Sequence, residues 1–289
     1  MIKSKATKKA DRVIAVICFF IILICLLPIL NILARSLSSA DALIRGKVFL
    51  WPVDFNLTAY QTVLSDPKYI RSLLWTAFLT VICTCASMFM TTICSYPLIY
   101  KELKGRKVFS VFILLTMYFN AGTIPNYLLL KDIGLLNTPA VLVVPGVLSV
   151  FNVVIMRSFL YGIPESLREA AEVEGAGPIR ILFHVYLPLS KPVLATLSLF
   201  YAVGRWNGFS DALMYMNKRE YYPIQLLLYN ILNNTSNVEV ATQEGFSTPG
   251  LSETLRSATV MFAVVPILMI YPWLQRYFIT GMTLGAVKE

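Results

Sequence analysis

Eight polar or aromatic side chains lie in or beside otherwise apolar stretches, and they are the chain's candidates for binding chemistry. Amide, hydroxyl and charged groups can hydrogen-bond a polar solute, and aromatic rings can stack on its C–H faces. Asparagine in an apolar helix also bonds neighbouring helices, and tryptophan also anchors at membrane interfaces, so these structural roles stay open. The candidates are Tyr118, Asn120, Asn152, Tyr201, Arg205, Trp206, Asn207 and Asp211.

Arg205 is the most costly of these side chains, because a guanidinium inside a membrane costs about 2.5–3.5 kcal/mol on insertion scales. We expect it to face protein or a water-filled cavity, where it could grip an acidic solute beside Trp206 and Asn207. An ion pair with Asp211 and a side chain that reaches the outer interface are the other open roles. On one continuous helix Arg205 and Asp211 would lie about 240° apart, so an intrahelical bridge is not expected.

The sequence shows no pattern of catalytic or metal-binding residues. It lacks the glycine-rich phosphate loop of ATPases, and its one histidine, His184, has no neighbours that suggest a triad. The five cysteines lie in apolar stretches without CxxC spacing, which favours packing over metal or redox roles. We therefore predict a chain that is not an enzyme and has no catalytic residue, metal site or bound cofactor.

The elements that must position the candidate residues are membrane-spanning helices. Hydrophobic residues make up 57% of the chain and charged residues 14%, which excludes an ordinary soluble domain. Several apolar stretches can cross about 30 Å of hydrocarbon as helices, and none alternates like a barrel strand. We predict an all-α polytopic membrane protein with one transmembrane domain over residues 1–289. The predicted spans are approximately 13–34, 73–99, 108–130, 139–157, 192–213 and 256–278.

The distribution of basic residues predicts the orientation of these spans. The two tails and the loops 101–107 and 157–191 together carry 15 Lys and Arg, whereas the opposite side carries 10. Loops rich in Lys and Arg stay in the cytoplasm, so both termini should be cytoplasmic. The same rule accounts for much of the +9 net charge without nucleic acid. It also places the loop 158–191 in the cytoplasm.

That loop contains Glu169-Ala170-Ala171, then Gly175, and later Leu187-Pro188. Pro164 suits a first helical turn, and Gly175 suits the left-handed position after a helix end. The spacing resembles the signature of permease subunits of ATP-binding-cassette (ABC) importers, with Val185 in place of the usual Ile. The alternative is an amphipathic hairpin on lipid headgroups, but four Glu against one Arg in residues 165–174 disfavour it.

Further motifs resemble the smaller permease of carbohydrate importers of the maltose-transporter kind. Phe200, Trp206, Asn207 and Phe209 resemble that group's fifth-span pattern. The segments 134–138 and 222–226 and the ending from Gln275 to Lys288 are also similar. The stretch 200–204 most resembles a subgroup that imports complex oligosaccharides and polysaccharide fragments. The resemblance implies the six-helix fold of type I ABC importer permeases.

The resemblance also implies a role and partners for this chain. The chain would be a multi-pass protein of a bacterial-type plasma membrane and would pair with a second permease, generally a different chain. Two ATPase subunits would bind ATP and Mg, and an extracytoplasmic solute-binding protein would deliver the carbohydrate. A cytoplasmic helix would dock on the ATPase and couple it to transport. The residues that match this coupling motif are Glu169, Ala170, Ala171, Gly175, Leu187 and Pro188.

The outer loop 217–255 is polar and too long for a simple turn, so it is a candidate docking site for the binding protein. A solvated loop without a partner is the alternative. Two other functions also stay open. The chain could be a permease for another solute class, which the Trp206-Asn207 pattern disfavours, or a membrane anchor that transports nothing.

Overall fold

The computed structural model describes residues 5–234 and 253–270, with side chains described for residues 11–233 and 253–270. The chain separates into two compact units, Met1–Ile70 with Leu227–Val265, and Arg71–Leu226 with Pro266–Glu289. We describe each unit by itself. The single transmembrane domain over residues 1–289 stays a prediction.

Every regular element in the described residues is a helix, which confirms the all-α prediction. Short 3-10 turns and one π-helical turn, Leu182–Tyr186, interrupt the α-helices. The α-helices are α1 Lys5–Ser36, α2 Ala40–Ile44, α3 Thr58–Ser65, α4 Pro67–Ser95, α5 Arg106–Tyr118, α6 Thr123–Asp132, α7 Val150–Tyr161, α8 Glu165–Val173, α9 Pro178–Ile181, α10 Leu187–Leu189, α11 Lys191–Asn207, α12 Ser210–Tyr215, α13 Ile224–Asn234 and α14 Glu253–Ile270.

The first unit contains α1 to α3 and most of α13 and α14. Small side chains such as Ala59 and Ala258 allow its helices to pack closely around Val63. Arg35 at the end of α1 forms an ion pair with Glu253 at the start of α14. Asn31 Nδ2 donates a hydrogen bond to Phe49 O at 2.6 Å, so the chain after α2 returns along the end of α1.

The second unit contains most of α4, the whole of α5 to α12 and the beginning of α13. One of its cores includes Tyr96, Met156, Ile181 and Leu197, and therefore joins α4, α7, α9 and α11. A second core centres on Leu79, Val141, Ala212 and Leu226. A hydrogen bond also joins α4 to the beginning of α13, since the Thr76 hydroxyl accepts the Ile224 N–H at 2.8 Å. Both candidate sites lie in this unit.

Three described helices are long and apolar enough to span a membrane: Asp11–Ser36, Pro67–Ile99 and Glu253–Ile270. The predicted helices over 13–34 and 73–99 correspond to the first two. The predicted sixth span agrees with α14 as far as Ile270, and its remaining residues, 271–278, lie outside the described residues. Of the predicted outer loop 217–255, residues 235–252 also lie outside them.

The predicted third span, 108–130, consists of two helices rather than one. Helices α5 and α6 meet at an angle of 114°. Gly122 adopts a φ of 91° between them, and its N–H is bonded by the side-chain oxygen of Asn120 at 2.9 Å. This positive φ cannot belong to a right-handed helix, so the apolar stretch breaks there.

The helices in the predicted fourth and fifth spans cover less than the apolar stretches themselves. Residues 139–149 hold a short 3-10 turn and irregular backbone around Pro145, and helix α7 covers only Val150–Tyr161. The predicted fifth helix over 192–213 ends at Asn207, where Gly208 has an extended ψ of 128°. A separate helix, α12, begins at Ser210. Pro145 is compatible with the first break, since proline ends or kinks a helix, whereas hydropathy does not reveal the second.

Candidate functional site

Helix α8 carries most of the predicted coupling motif and ends as the sequence predicts. Gly175 has a φ of 81°, its N–H donates to Glu172 O, and Ala176 N–H donates to Ala171 O, both at 2.9 Å. These two bonds form a Schellman cap, which satisfies carbonyls that the helix end leaves free. A Cβ atom at Gly175 would meet nothing within 4 Å, so only its φ requires glycine. Pro164 lies at the N-cap, one residue before the helix.

The two alanines of α8 are divided between the protein interior and the surface. Ala171 packs against the core around Tyr96 and Tyr186, whereas Glu169 and Ala170 are exposed. Leu167 and Val173 are also exposed, Val173 by 89%. The free face of α8 therefore combines a small side chain, a carboxylate and apolar groups. Such a surface suits close contact with another protein.

The second half of the motif, Leu187 and Pro188, lies at the end of a bent connection to α11. The helices before and after Ser190 meet at 83°. Leu187 packs against the same core as Ala171, and Pro188 is exposed. Tyr186 is 4% exposed and its ring lies 5.4 Å from that of Tyr96. The residues of the predicted coupling motif thus lie on one packed segment.

An ion cluster beside α8 was missed by the sequence reasoning. Lys101 Nζ donates to Glu165 Oε2 at 2.7 Å, and Arg168 lies within ion-pair distance of Glu102, Glu165 and Glu172. The hydrogen bond with Lys101 lowers the pKa of Glu165, and the same bond raises the pKa of Lys101. Nothing in the sequence marked residues 101 and 165 as neighbours, because 64 positions separate them.

A second candidate site is a cavity of about 610 Å³ between α4, α7 and α11. It brings together three of the predicted path residues, Asn152, Tyr201 and Arg205. The Tyr201 hydroxyl bonds Thr91 Oγ1 at 2.7 Å and accepts the Ser149 N–H at 3.2 Å, which fixes its ring on the cavity wall. The lining residues that sequence reasoning missed are Cys83, Ser87, Leu142, Val143, Gly146, Ser149, Phe151, Phe200 and Gly204.

Arg205 forms an ion pair with Asp211, one of the roles that the sequence left open, and the pair joins the end of α11 to the start of α12. Its guanidinium contacts Asp211 through both terminal nitrogens, at 2.5 and 3.1 Å. The same nitrogens donate to Leu142 O at 3.0 Å and to Gly208 O at 3.3 Å. The separation of 240° applies only to a continuous helix, and here α11 ends at Asn207 and the chain changes direction at Gly208. Four acceptors thus surround the two terminal nitrogens, and Asp211 balances the charge.

The remaining predicted path residues do not line this cavity. Tyr118 is 78% exposed, and Asn120 is exposed at the break between α5 and α6. Trp206 is 7% exposed, and Asn207 is an exposed residue whose amide donates to Val203 O at 3.1 Å. In the part of the chain that the structure describes, no group of three or more His, Cys, Asp or Glu could hold a metal ion.

The family model described as "binding-protein-dependent transport system inner membrane component" matches residues 84–284 of this chain. The chain belongs to this family of transport permeases. Membership confirms the prediction of a transport subunit rather than an enzyme. The matched range includes α8, its Gly175 cap and all of the cavity lining except Cys83.

Relatives of this permease include proteins named for polysaccharide transport. It is 37% identical to the polygalacturonan/rhamnogalacturonan transport system permease protein YtcP of Bacillus subtilis, over 92% of this chain and 93% of that protein. It is 26% identical to the arabinooligosaccharides transport system permease protein AraQ of Halalkalibacterium halodurans, over 93% of each chain. These names confirm the resemblance to carbohydrate permeases.

Solved structures show the same fold. A chain of a bacterial ABC transporter involved in the import of the acidic polysaccharide alginate is 34% identical, with a TM-score of 0.89. The match covers 96% of this chain and 99% of that chain. A chain from an alginate ABC transporter in complex with an alginate pentasaccharide-bound periplasmic protein matches at a TM-score of 0.55 and 17% identity. The first match confirms the predicted ABC importer permease fold.

Proposed function

We propose that this permease moves acidic, uronate-containing oligosaccharides across the membrane in an ATP-driven importer. The observation that carries the proposal is the capped helix α8, which presents an exposed Glu169-Ala170 face while Ala171 is fixed in the core. The solute class rests on the relatives, because one is named for polygalacturonan transport and another belongs to an importer of the acidic polysaccharide alginate.

In this proposal α8 docks on an ATPase subunit. Ala170 permits close approach, and Glu169 offers a carboxylate to a basic group on the partner. Gly175 ends the helix so that the chain can return to the core, and Leu187 and Pro188 connect the segment to α11. Because α8 packs on the core by one face and is exposed on the other, a movement of the bound ATPase can displace α8 and, through it, α11.

The cavity between α4, α7 and α11 supplies part of the translocation path. The rings of Tyr201 and Phe200 offer faces on which sugar C–H groups can stack, and Asn152, Ser87 and Ser149 lie on the same wall. Because Asp211 neutralises Arg205, the wall attracts anions only weakly. This balance suits passage of an acidic solute, since a tightly held anion would be released slowly. Tyr118, Asn120, Trp206 and Asn207 are proposed to contact substrate only along other parts of the path.

The complete importer would contain a second permease, two ATPase subunits and an extracytoplasmic binding protein, with ATP and Mg on the ATPases. One permease supplies one α8 helix, so a second permease is needed to engage a second ATPase. Both termini and the loop with α8 would face the cytoplasm. The outer loop 217–255 would face the binding protein.

Substrate-stimulated ATP hydrolysis tests this proposal. The complex of both permeases and the ATPase would be placed in nanodiscs with its binding protein, which would be supplied with oligogalacturonate or with a neutral oligosaccharide of equal length. We expect stimulation by the acidic oligosaccharide and little by the neutral one. Stimulation by the neutral sugar alone would overturn the solute class, and no stimulation by any oligosaccharide would favour another solute or a non-transporting anchor.

A further inference from the structure

The loop between α4 and α5 is tied to the beginning of α8 by charged side chains. Lys101 Nζ lies 2.7 Å from Glu165 Oε2, and Glu102 Oε2 lies 3.6 Å from Arg168 Nη1. Both contacts join side chains from distant parts of the sequence. They connect the first turn of α8 to a connection of only a few residues, which ends where Gly105 begins α5 with a φ of 80°.

Arg168 is the centre of this cluster. Only 11% of its side chain is exposed, and it lies 2.9 Å from Glu165 and 3.7 Å from Glu172 on its own helix. Its guanidinium carbon also lies 5.0 Å from the centre of the Tyr100 ring, which permits a cation–π interaction. A guanidinium that has lost most of its water needs such partners. Arg168 therefore fixes α8 against the residues that follow α4.

The other end of the docking segment is also attached to α4. Tyr96 donates a hydrogen bond from its hydroxyl to Pro178 O at 2.8 Å, and its ring packs edge-on against Tyr186. Further along α4, Cys83 and Ser87 line the cavity. From Ser87 to Ser95 the helix rises about 12 Å at 1.5 Å per residue. Helix α4, with the 3-10 turn Pro97–Ile99 that continues it, thus runs from the wall of the cavity to within two residues of Lys101.

We propose that Lys101, Glu102 and Arg168 are positioning residues that clamp α8 to the end of α4. When an ATPase displaces α8, the clamp makes α4 move with it and changes the cavity wall at Cys83 and Ser87. Without the clamp, α8 moves on its own and ATP is hydrolysed without full transport. The proposal rests on the docking role proposed above for α8.

The test is a double-mutant cycle in the assembled importer, reconstituted in liposomes with its binding protein. The variants are Lys101→Met, Glu165→Gln and the double variant, with Lys101→Arg as the conservative variant and Lys104→Met as the control. Lys104 is an exposed lysine of the same loop. The measured quantity is the number of ATP molecules hydrolysed per oligosaccharide imported, with complex assembly measured by copurification.

Each single variant should raise this ratio by up to about fivefold, because an exposed ion pair is a weak contact. The double variant should equal the worse single variant, because both remove the same contact. Lys101→Arg and Lys104→Met should keep the ratio of the unmodified importer. A folding defect would lower the amount of complex instead and leave the ratio unchanged. An unchanged ratio in Lys101→Met, or additive effects in the double variant, would overturn the clamp.

A variant at the cap separates failure of the clamp from failure of the docking role. Gly175→Val strains the end of α8 without touching the ion cluster. Loss of ATPase binding in Gly175→Val together with a normal ratio in Lys101→Met would support the docking role of α8 and overturn only the clamp. Normal ATPase binding and transport in both Gly175→Val and Ala170→Asp would contradict docking by α8 itself.

Discussion

The backbone conformation at Gly175 restricts the residue type there more clearly than any side-chain contact does elsewhere in residues 165–188. Its φ of 81° costs a side-chain-bearing residue about 1–2 kcal/mol, although its surroundings leave room for a Cβ atom. Asparagine tolerates this conformation better than other residues, and β-branched residues tolerate it least. The Schellman cap should therefore survive some substitutions and not others.

Substitution at Gly175 should follow backbone preference rather than size. We expect Gly175→Asn to retain most ATPase binding. Gly175→Val adds only three heavy atoms to glycine, but the affinity for the ATPase should fall about tenfold through roughly 1–2 kcal/mol of strain. The measurement is the affinity of the ATPase for the purified permease pair in detergent. Equal affinities of the Asn and Val variants would show that the left-handed cap does not matter for docking.

Because Arg205 is paired with Asp211, we expect substitution of Arg205 to lower stability and transport by an amount that does not depend on the charge of the solute. Arg205→Met leaves the Asp211 carboxylate without its partner, and we expect about 1–3 kcal/mol of lost stability, because Asp211 is still partly exposed. Asp211→Asn should cost less, since an amide can still accept from the guanidinium.

The readouts for Arg205 are the melting temperature of the complex and the uptake of acidic and neutral oligosaccharides. Both solutes should lose uptake by the same factor after Arg205→Met, in proportion to the loss of folded complex. Selective loss of the acidic solute in a stable complex would instead show that Arg205 leaves Asp211 and binds substrate carboxylates.

At the scale of helices, the two alanines of the motif should respond differently. Ala171 packs into the core of its unit and Ala170 faces outward. Ala171→Asp buries a carboxylate beside Tyr96 and Tyr186, so it should reduce the yield of folded permease. Ala170→Asp should leave the fold unchanged and weaken ATPase binding. Size-exclusion profiles of the permease and copurification of the ATPase distinguish the two results, and equal folding defects in both variants would contradict the division of this face.

Local signals in the sequence were enough to predict α8 and its cap. Gly175 specifies a left-handed backbone by its own chemistry, and Pro164 precedes the helix within one residue of its predicted position. The end of α11 at Asn207 was not predicted, because hydropathy has no term for backbone direction. The clamp was missed for a different reason: ion pairs between loops 64 residues apart depend on tertiary packing.

The cavity was predicted only in part. Asn152, Tyr201 and Arg205 stood out as polar or aromatic groups in apolar stretches, and the structure brings them to one wall. Ser87, Ser149 and Gly204 gave no such signal, since small residues in apolar helices usually serve close packing. The pairing of Arg205 with Asp211 required knowledge of the turn at Gly208.

For the whole molecule, the orientation of the chain can be measured directly. After removal of the five native cysteines, a cysteine at Glu172 should resist a membrane-impermeant thiol reagent on intact cells, and one at Lys218 should react. Both positions are exposed in the protein, so burial does not explain a difference. Permeabilised cells provide the control, in which both should react. Reaction at Glu172 but not at Lys218 in intact cells would reverse the proposed topology.

The measurement that tests the central claim most directly is uptake of labelled oligogalacturonate into liposomes that contain the complete importer. We predict uptake that needs ATP hydrolysis and the binding protein, and that falls at least about tenfold when Ala170→Asp removes roughly 1.4 kcal/mol of docking energy. A neutral oligosaccharide of the same length should enter more slowly. ATP-driven uptake that is unchanged in a stably assembled Ala170→Asp importer, or uptake of only the neutral sugar, would contradict the account.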